Sequence, residues 1–587
     1  MRLKNWIDVK LMNSSICMPS KQTKLRKNIS KLAEDILHYA NGLPLVLEII
    51  GSSLSGESIG QWKSALKKFK GIPNKDIQDI LKISYEELDD TEQEIFLNIA
   101  CFFKGWYHDE VTNILDACNL YPDSGLPRLI DKCLITINRF GELSMNDLIQ
   151  QMGREIVRQE SPQMLGKRSR LWYYKDALEV LTSNMGSDKI QGIVLSSPKL
   201  ITLHLNAEAF KRMENLKFLI VHNVRICEDL KYLPNGLRLL DWPDYSFSLP
   251  STFCPQQLFK LNMPRSHIRL ENLFNKVFQF ENLKNINLNE CEFITKLPEL
   301  CAPNLENLDL SYCKNLVEVH ESVGYLDKLQ FWNLVHCEKL QILPSNLMLK
   351  SLKTFYLNGC PSLEKFLDIQ PEMKCLDVLE LKGSGIRELP ISIEYLTSLT
   401  MLNLYNCDTL RYLPDSIYKL QLIDKLTIST TKLRSVSNSF DSLSGYGFPL
   451  LKILDFSNRG NIFELDFLMN PDYFPALEYL DLSETDIIII PESINRFARL
   501  RTLIMDNCKQ LQEIPRLPQF IRRVYAKNCL SLNSQSSNKL LIQIGEILNL
   551  LPNRVCNGAR SDISMDPLSL NGSQDGDDFF CIYTASV

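Results

Sequence analysis

The chain has 587 residues, of which 45% are hydrophobic and 23% charged, with a formal net charge of -5 and an isoelectric point near 6.0. This length predicts several domains, and the small net charge gives no field that would attract nucleic acid, so no nucleic-acid partner is predicted. The longest apolar runs fall short of the roughly 18 residues needed to cross a bilayer, and the N-terminus lacks a secretory core, so no membrane-spanning segment is predicted.

The first 72 residues are predicted to form an irregular start followed by helices. Residues 1–27 show no periodicity and are predicted to be an irregular N-terminal segment. From residue 28, apolar residues recur at helical spacing until the motif Gly42-Leu43-Pro44-Leu45 interrupts them. Pro44 lacks an N–H and fixes its own φ, which suits the first turn of a new helix. A small helical subdomain is therefore predicted over residues 28–72.

Residues 73–162 have the pattern of a winged-helix domain. One of the predicted helices opens with a capping box at Thr91-x-x-Glu94. The other helices are predicted over residues 77–88, 109–118 and 126–133. Short apolar segments at 134–137 and 142–145 flank a four-residue loop and predict a β-hairpin. A small helical bundle that ends in a hairpin is the plan of a winged helix.

Another helix is predicted directly after the hairpin. Apolar residues from Met145 to Ile156 lie on one helical face, which places Asn146 and Asp147 in the first turn. A helix N-terminus has unpaired N–H groups and a partial positive charge, so it favours anions. These two residues are therefore either a plain helix start or part of a site for an anionic ligand.

The pattern L-x-x-L-x-L-x-x-C, or a close variant, then recurs at intervals that are mostly 22 to 24 residues. Its registers begin at Leu283, Leu305, Leu329, Leu352, Leu376, Leu399, Ile423, Leu451, Leu477, Leu500 and Ile521. A period of about 20 to 29 residues with this pattern is typical of leucine-rich repeats, each a short strand followed by a returning loop. Because one unit cannot bury its own apolar face, the units must stack into a solenoid.

The sequence therefore predicts an α+β multidomain fold, with helical and winged-helix domains followed by a horseshoe-shaped leucine-rich-repeat solenoid. The repeats are predicted over residues 213–530, after a linker or N-terminal cap at 163–212. Polar composition at the end of the chain predicts a largely disordered tail over residues 531–587.

Seven of the 17 cysteines occupy one repeat position, eight residues after the first apolar residue. They are Cys291, Cys313, Cys337, Cys360, Cys407, Cys508 and Cys529. This slot faces inward, where a small side chain can pack and hydrogen-bond the loop backbone. No C-x2-C pair or interleaved histidine accompanies them, so buried, reduced thiols and no metal site are predicted. The seven scattered histidines form no catalytic arrangement, so the chain is predicted to have no catalytic residue and not to be an enzyme.

Alternation along each strand predicts a concave surface made by the third, fifth and seventh register residues. Aromatic and acidic residues at these positions are candidates for protein binding, namely Asp309, Phe331, Tyr356, Tyr405, Tyr479 and Asp481. The rings are either interface anchors or cross-strand pairs that stabilise the sheet. Trp332 occupies an inward slot and is predicted to be core, and the Ser-, Asp- and Gly-rich insert at 435–448 is a candidate recognition loop.

Several fragments resemble the nucleotide-binding immune receptors of plants, in the class where a TIR domain precedes an NB-ARC switch and leucine-rich repeats. The fragments are GLPLVLEIIGSSL at 42–54, SYEELDDTEQEIFLNIACFFKGW at 84–106 and MNDLIQQMGREIVRQES at 145–161. The segment at 233–268 is similar to the opening of the repeats in that class. Registers at Leu216, Leu237 and Leu258 then extend the solenoid upstream, and residues 28–72 become a remnant of the NB-ARC region.

The resemblance implies nucleotide contacts, with ADP or ATP as the implied cofactor. In the family the GLPL motif lies against the base of ADP or ATP, which implies Leu43, Pro44 and Leu45 as contacts. A Met-His-Asp motif places its histidine at the phosphates and its aspartate in the lock of the resting state, which implies Asn146 and Asp147. Asparagine can donate a hydrogen bond but carries no charge, so weaker ADP retention is expected.

The phosphate-binding loop G-x4-G-K-[ST] does not occur in these 587 residues, and neither does a TIR domain. An N-terminally truncated form or a short natural relative is therefore expected. The resemblance implies a cytoplasmic receptor, with the nucleus as a second location, that recognises a pathogen effector or a guarded host protein and can pair with other receptors. The alternative is a nucleotide-independent interaction protein, acting as a regulator or decoy for full-length receptors.

Overall fold

The computed structural model describes residues 31, 34–36, 50, 58–71, 75–270, 273–274, 279–411, 413–428, 447–457, 471–533, 535–536, 538–539 and 542–543. The chain forms two compact units, Met1–Trp242 with Thr252–Lys260, and Pro243–Ser251 with Leu261–Val587. The predicted domain boundaries stay predictions. The Leu43-Pro44-Leu45 motif and most of the 435–448 insert lie outside the described residues.

The helices of the first unit are short and amphipathic. Within its described residues from 58 onward they are α1 Ile59–Gly71, α2 Lys75–Glu86, α3 Asp90–Asn98, α4 His108–Asp116, α5 Pro122–Asp131, α6 Asp147–Glu160 and α7 Tyr174–Thr182. A π-helical turn, Ile99–Phe103, follows α3, and all five of its residues are buried. Helix α5 begins four residues before its predicted start, because Pro122 occupies the first helical turn.

The capping box of α3 lies two residues before the predicted one. Asp89 is the N-cap, its carboxylate accepts from the Glu92 N–H at 2.8 Å, and the Glu92 carboxylate accepts from the Asp89 N–H at 3.1 Å. The Thr91 hydroxyl donates to the Asp89 carboxylate at 2.7 Å instead of capping the helix itself. The prediction of a Thr91–Glu94 box was wrong because Glu94 is bound elsewhere, by Arg170.

Strands β1 Thr136–Ile137 and β2 Leu143–Ser144 pair antiparallel and form the predicted hairpin. The hairpin follows the helices and precedes α6, which confirms the winged-helix arrangement. Asn138 organises the loop, since its Oδ1 accepts from the N–H groups of Phe140 and Glu142 at 2.9 and 3.0 Å.

The core of the first unit joins the winged helix to the strands that follow it. The rings of Phe102 and Phe103 contact Phe218, with ring centroids 5.9 and 5.2 Å apart. A Cβ atom at Gly192 would lie 2.4 Å from the Phe102 ring, so this close approach requires glycine. Buried residues of both regions belong to one hydrophobic cluster. The winged helix and the first strands therefore pack as one body.

A buried arginine also connects these regions. The Arg170 side chain is 1% exposed, and it donates to Asn98 Oδ1 at 2.8 Å and to Glu94 Oε2 at 2.7 Å. A buried guanidinium is tolerated only when its donors are satisfied. Residues of α3 thus fix the position of the strand that carries Arg170.

Parallel strands continue the first unit. They are β3 Arg170–Leu171, β4 Gly192–Leu203, β5 Phe218–Ile226 and β6 Leu239–Asp241, and each pairs with the next. The division between the units falls after Lys260, within β7 Lys260–Asn262.

The second unit is a solenoid of short parallel strands, one for each predicted register. They are β8 Asn285–Asn287, β10 Asn307–Asp309, β12 Phe331–Asn333, β14 Thr354–Tyr356, β16 Val378–Glu380, β17 Met401–Leu404, β18 Lys425–Ile428, β19 Ile453–Asp455, β20 Tyr479–Asp481, β21 Thr502–Ile504 and β22 Arg523–Tyr525. Neighbours pair in register, for example Leu308 with Trp332 and Trp332 with Phe355. The leucine-rich-repeat solenoid is confirmed.

The return path of each repeat carries smaller elements. Two parallel pairs form there, β9 Lys296–Leu297 with β11 Glu318–Val319, and β13 Asn346–Leu347 with β15 Asp368–Ile369. Three 3-10 helices, Ile391–Tyr395, Asp415–Lys419 and Glu492–Arg496, each follow directly after a proline. Further 3-10 helices span Leu165–Lys167, Glu321–Tyr325 and Pro471–Tyr473.

The seven repeated cysteines are free, buried thiols, as predicted. Each Sγ donates to the carbonyl of the sixth register residue in the preceding repeat, at 3.0 to 3.2 Å. Cys313, for example, bonds to Leu288 and Cys337 bonds to Leu310. We call this row the cysteine ladder. It connects consecutive repeats inside the core, where an unpaired carbonyl would be costly.

Candidate protein-interaction surface

The middle residue of each short strand in the second unit is buried, and its neighbours on either side face away from the core. Trp332, for example, is fully buried and stacks on Phe355 at 4.5 Å with an interplanar angle of 9°, which confirms its predicted core position. The outward residues of the strands define what we call the strand face, and most are half-buried. Strand alternation places alternate residues on this face.

All six predicted binding residues lie at outward positions of their registers. The half-buried ones are Asp309, Phe331, Tyr356, Tyr405 and Tyr479. Asp481 differs, because only 9% of it is exposed. Whether these residues bind a protein stays a prediction.

An aspartate or asparagine at the fifth register position has a recurring structural role. Asp309 Oδ1 accepts from the Ser311 N–H at 2.9 Å, and Asp481 Oδ1 accepts from the Ser483 N–H at 2.9 Å. The same bond is made by Asn287, Asn333, Asn403 and Asp455. Such a side chain ends the strand by satisfying the backbone two residues on. One oxygen of each predicted acidic contact is therefore already used within the fold.

The aromatic residues of the strand face contact one another and nearby charges. Phe331 and Tyr356 meet edge to face, with centroids 5.7 Å apart and an interplanar angle of 89°. Lys382 Nζ lies 5.1 Å from the Tyr405 ring. Cross-strand pairing and partial exposure thus coexist, and rings held in this way present apolar area at a low cost in side-chain entropy.

Burial makes several acids of this face harder to ionise. It raises the pKa of Asp481 to about 6, an effect that the hydrogen bonds from Ser483 oppose and the charge of Asp455 on the neighbouring strand increases. Burial also raises the pKa of Glu380, while the bond that its Oε2 accepts from Asn403 Nδ2 at 2.7 Å opposes the shift. Burial raises the pKa of Tyr479, whose hydroxyl donates to Asp481 Oδ2 at 3.2 Å.

The Asn146–Asp147 pair begins α6, as the sequence predicts. Asn146 is the N-cap, and its Oδ1 accepts from the Leu148 N–H at 2.9 Å. Lys104 Nζ donates to Asp147 Oδ1 at 2.5 Å and to Gln150 Oε1 at 3.1 Å. Both residues therefore have roles inside the winged helix.

Sequence reasoning missed the backbone conformation at the eighth register position. Here φ is positive in repeat after repeat, at 58° for Tyr312, 55° for His336, 68° for Gly359 and 65° for Gly383. This left-handed conformation costs roughly 1–2 kcal/mol for a residue other than glycine. Gly359 and Gly383 occupy this eighth position, and their presence in the sequence is the signal that could have predicted the positive φ.

Within the described ranges, no group of three or more His, Cys, Asp or Glu side chains could hold a metal ion. Among the helices of those ranges, none is both long and apolar enough to cross a membrane.

Two protein families match parts of the chain. Residues 89–161 match the winged-helix domain described as disease resistance protein Roq1-like, and residues 347–546 match the leucine-rich repeats described as disease resistance protein RPS4B-like. The first match contains α3 to α6, and the second contains strands β14 to β22.

Curated relatives extend the similarity beyond these regions. TMV resistance protein N of Nicotiana glutinosa is 33% identical over 548 residues, which is 85% of this chain and 47% of that protein. Disease resistance protein RPS6 of Arabidopsis thaliana is 32% identical over 583 residues, or 92% of this chain and 50% of that one. The chain thus spans about half the length of these relatives. A solved leucine-rich-repeat protein of Leptospira interrogans is 20% identical, covering 64% of this chain and 97% of that one, with a TM-score of 0.33.

Proposed function

Since its winged-helix and repeat regions belong to the family of plant TIR-type nucleotide-binding leucine-rich-repeat disease resistance proteins, we propose that this chain is the sensing part of an intracellular immune receptor. It recognises a pathogen effector or a guarded host protein through its strand face. It acts by binding rather than by catalysis, in the cytoplasm, with the nucleus as the alternative compartment.

The observation that carries this proposal is the pre-arranged aromatic pair on the strand face. Phe331 and Tyr356 are half-buried on adjacent strands of the row of parallel repeats. Aromatic anchors held rigid before binding are the residues that dominate protein–protein affinity. Solenoids of this kind provide long binding surfaces for proteins.

A reducing compartment is supported by the cysteine ladder. Each of its thiols is buried and uses its proton to bond a backbone carbonyl, for example Cys360 to Leu334 at 3.1 Å. Free thiols are typical of the cytosol and nucleus, where disulfides are rare.

The packing in the first unit supports a route from the repeats to the winged helix. Besides the shared aromatic core, Arg238 Nε donates to the Ala117 carbonyl at 2.9 Å, and Lys260 pairs with Glu110 while its Nζ lies 5.3 Å from the Trp106 ring. A displacement of the first strands would therefore move the winged helix with them. In a relative that binds nucleotide, this packing would transmit ligand binding at the repeats to the nucleotide-binding region.

A cell-death assay in leaves tests the recognition step. The full chain is co-expressed with each member of a pathogen effector library, and any effector that triggers a response is then tested for direct binding. Phe331→Ala with Tyr356→Ala should abolish the response and weaken binding at least tenfold, which corresponds to about 1.4 kcal/mol. Tyr325→Ala is the matched control, because Tyr325 is 52% exposed on a 3-10 turn outside the strands. An unchanged response of the double variant would contradict the proposal.

A second function, as a nucleotide-independent interaction protein that pairs with full-length receptors, is favoured by the start of α6. Asn146 caps this helix and Asp147 is paired with Lys104, so neither residue depends on a phosphate for its position. ADP released from the purified, denatured chain distinguishes the two functions. A stoichiometric amount would exclude the nucleotide-independent function, and its absence would favour that function.

The variant Asn146→His makes the ADP measurement more specific, because it restores the residue that contacts the phosphates in the family. A histidine can also cap a helix here, as His320 does when its Nδ1 accepts from the Ser322 N–H at 3.1 Å. If the chain contacts nucleotide through this position, the variant should retain more ADP than the wild type.

A further inference from the structure

A pocket of about 340 Å³ opens on the turns that follow β7, β8 and β10, and the residues that line it all belong to the second unit. Its residues come from register positions eight to ten or eleven, not from the strand face. The eighth residues are Arg265, Glu290 and Tyr312, and all three have positive φ, between 55° and 58°. This backbone conformation turns the chain at the same place in each repeat, so that side chains from successive turns surround one cavity.

The floor of this turn pocket is built from the core. Ser266 is 1% exposed, and its N–H donates to Cys291 Sγ at 3.4 Å while that thiol donates to the Met263 carbonyl at 3.2 Å. The Ser266 hydroxyl also accepts from the Tyr245 N–H at 3.1 Å. The cavity is therefore formed before any ligand arrives, which reduces the entropy lost on binding.

The two basic side chains of the turn pocket are engaged by carboxylates outside it. Arg265 pairs with Asp244 through two bonds, Nε to Oδ1 at 3.1 Å and Nη2 to Oδ2 at 3.2 Å. Lys314 Nζ lies 3.7 Å from Glu338 Oε1. These ion pairs oppose the positive charges of Arg265 and Lys314 with carboxylates that lie outside the pocket.

Two acidic side chains of the turn pocket have no such counterpart. Glu290 and Glu292 are exposed and form no ion pair with the described residues. Counted with Asp244 and Glu338, the carboxylates that pair with Arg265 and Lys314, the pocket has four negative and two positive charges. The charge of Glu290 also acts on Arg265 and helps to raise the pKa of that guanidinium. A cation is the complementary ligand.

Aromatic rings stand beside these carboxylates. Phe293 is 46% exposed and packs on His267 with centroids 4.5 Å apart. Tyr312 is 41% exposed and packs against His336 at 4.9 Å. A planar guanidinium can stack on an aromatic face while donating to carboxylates, whereas a compact ammonium makes less use of the ring.

We propose that the turn pocket binds an arginine side chain from a basic segment of a protein partner, with Glu290 and Glu292 accepting from the guanidinium and Phe293 or Tyr312 stacking on it. The site lies on the turn edge, so it is separate from the aromatic pair of the strand face and does not depend on effector recognition there. It gives the repeats a second binding surface.

Fluorescence anisotropy with a labelled peptide tests this inference on the full chain. The probe is Gly-Arg-Gly-Arg-Gly, and the comparison peptide has citrulline, which is neutral and nearly isosteric, in place of arginine. The arginine peptide should bind the wild type at least tenfold more tightly than the citrulline peptide does. The variant E290Q/E292Q should lose about tenfold in affinity, and Phe293→Leu should weaken binding as well.

Glu492→Gln is the matched control, because Glu492 is an exposed carboxylate on a distant repeat and its loss changes the net charge in the same direction. It should leave the affinity unchanged. Equal binding of the two peptides, equal loss in E290Q/E292Q and Glu492→Gln, or preference for a glutamate peptide would each overturn the inference. None of these outcomes depends on the leaf response, so failure here is distinct from failure of the recognition proposal.

Discussion

Replacing Asp481 by asparagine should stabilise the second unit at neutral pH. The carboxylate of Asp481 is nearly buried, and Asp455 stands beside it in register on the neighbouring strand. Asparagine fits the same slot, because Asn333 and Asn403 make the equivalent bond to the backbone N–H two residues later, at 3.0 Å. Asp481→Asn therefore removes a charge and keeps the hydrogen bond that ends the strand.

The magnitude follows from the pKa of about 6 in the folded chain against the ordinary value of 3.8. A raised carboxyl pKa means that the folded state holds the proton more tightly than the unfolded state, so this residue's contribution is most favourable below pH 3.8 and is lost as pH rises through 6. Each pKa unit corresponds to about 1.4 kcal/mol, so ionised Asp481 costs about 3 kcal/mol. The stability gain from Asp481→Asn should grow from about 1 kcal/mol at pH 4.5 to about 3 kcal/mol at pH 7.5.

Urea unfolding followed by circular dichroism at both pH values measures this gain. Because repeats can unfold in parts, hydrogen exchange at β20 provides a local measurement beside the global one. Asp408→Asn, which removes an exposed carboxylate in the same unit, is the control and should change little at either pH. A difference between Asp481→Asn and the wild type that is the same at pH 4.5 and 7.5 would refute the reasoning.

Three further measurements test the interior and the turns. A maleimide should modify the exposed Cys375 and should not modify Cys337 until urea is added, because Cys337 is fully buried and burial raises the pKa of its thiol. Peptide mass spectrometry measures the labelling of each cysteine. Equal labelling of the two residues would contradict the ladder. Trp332→Phe should change the free energy of unfolding by less than about 1 kcal/mol, because the lost ring contacts are offset by removing a buried indole N–H that has no partner among the described residues. Trp332→Ala should instead lower the free energy of unfolding by about 3–5 kcal/mol. Similar losses for the two variants would contradict this reasoning. Gly383→Ala should lower the folding stability by about 1–2 kcal/mol through its φ of 65° alone. Gly359→Ala should lower the stability more, because its new Cβ would lie 2.4 Å from a neighbouring imidazole. Thermal melts of the two variants show which one is less stable.

The sequence predicts the solenoid well because burial forces the repeat pattern. Each strand must place apolar residues inward at fixed positions, so the registers, the core location of Trp332 and the buried thiols follow from spacing alone. The hairpin and the start of α6 at Asn146 were also predictable, since loop length and capping residues are local signals.

What could not be predicted depends on residues far apart in the chain. Asp89 and Thr91 are both acceptable N-caps with a glutamate three residues later, and the choice between them is decided by Arg170, which binds Glu94. The burial of Asp481 and the turn pocket around Glu290 depend on neighbouring repeats. Register positions alone indicated that a side chain faces outward, but not how much of it a neighbour covers.

The cysteine ladder also bears on how such a gene can change. Seven of the eleven registers from Leu283 onward supply a thiol donor for the repeat before them, and the acceptor is always the carbonyl of the sixth register residue, as with Cys313 and Leu288 or Cys337 and Leu310. Where the repeat after the new junction carries the cysteine, unequal crossing-over that deletes or duplicates one whole repeat brings an equivalent donor and acceptor together. The inherited core bonds re-form, while a different set of outward side chains becomes adjacent.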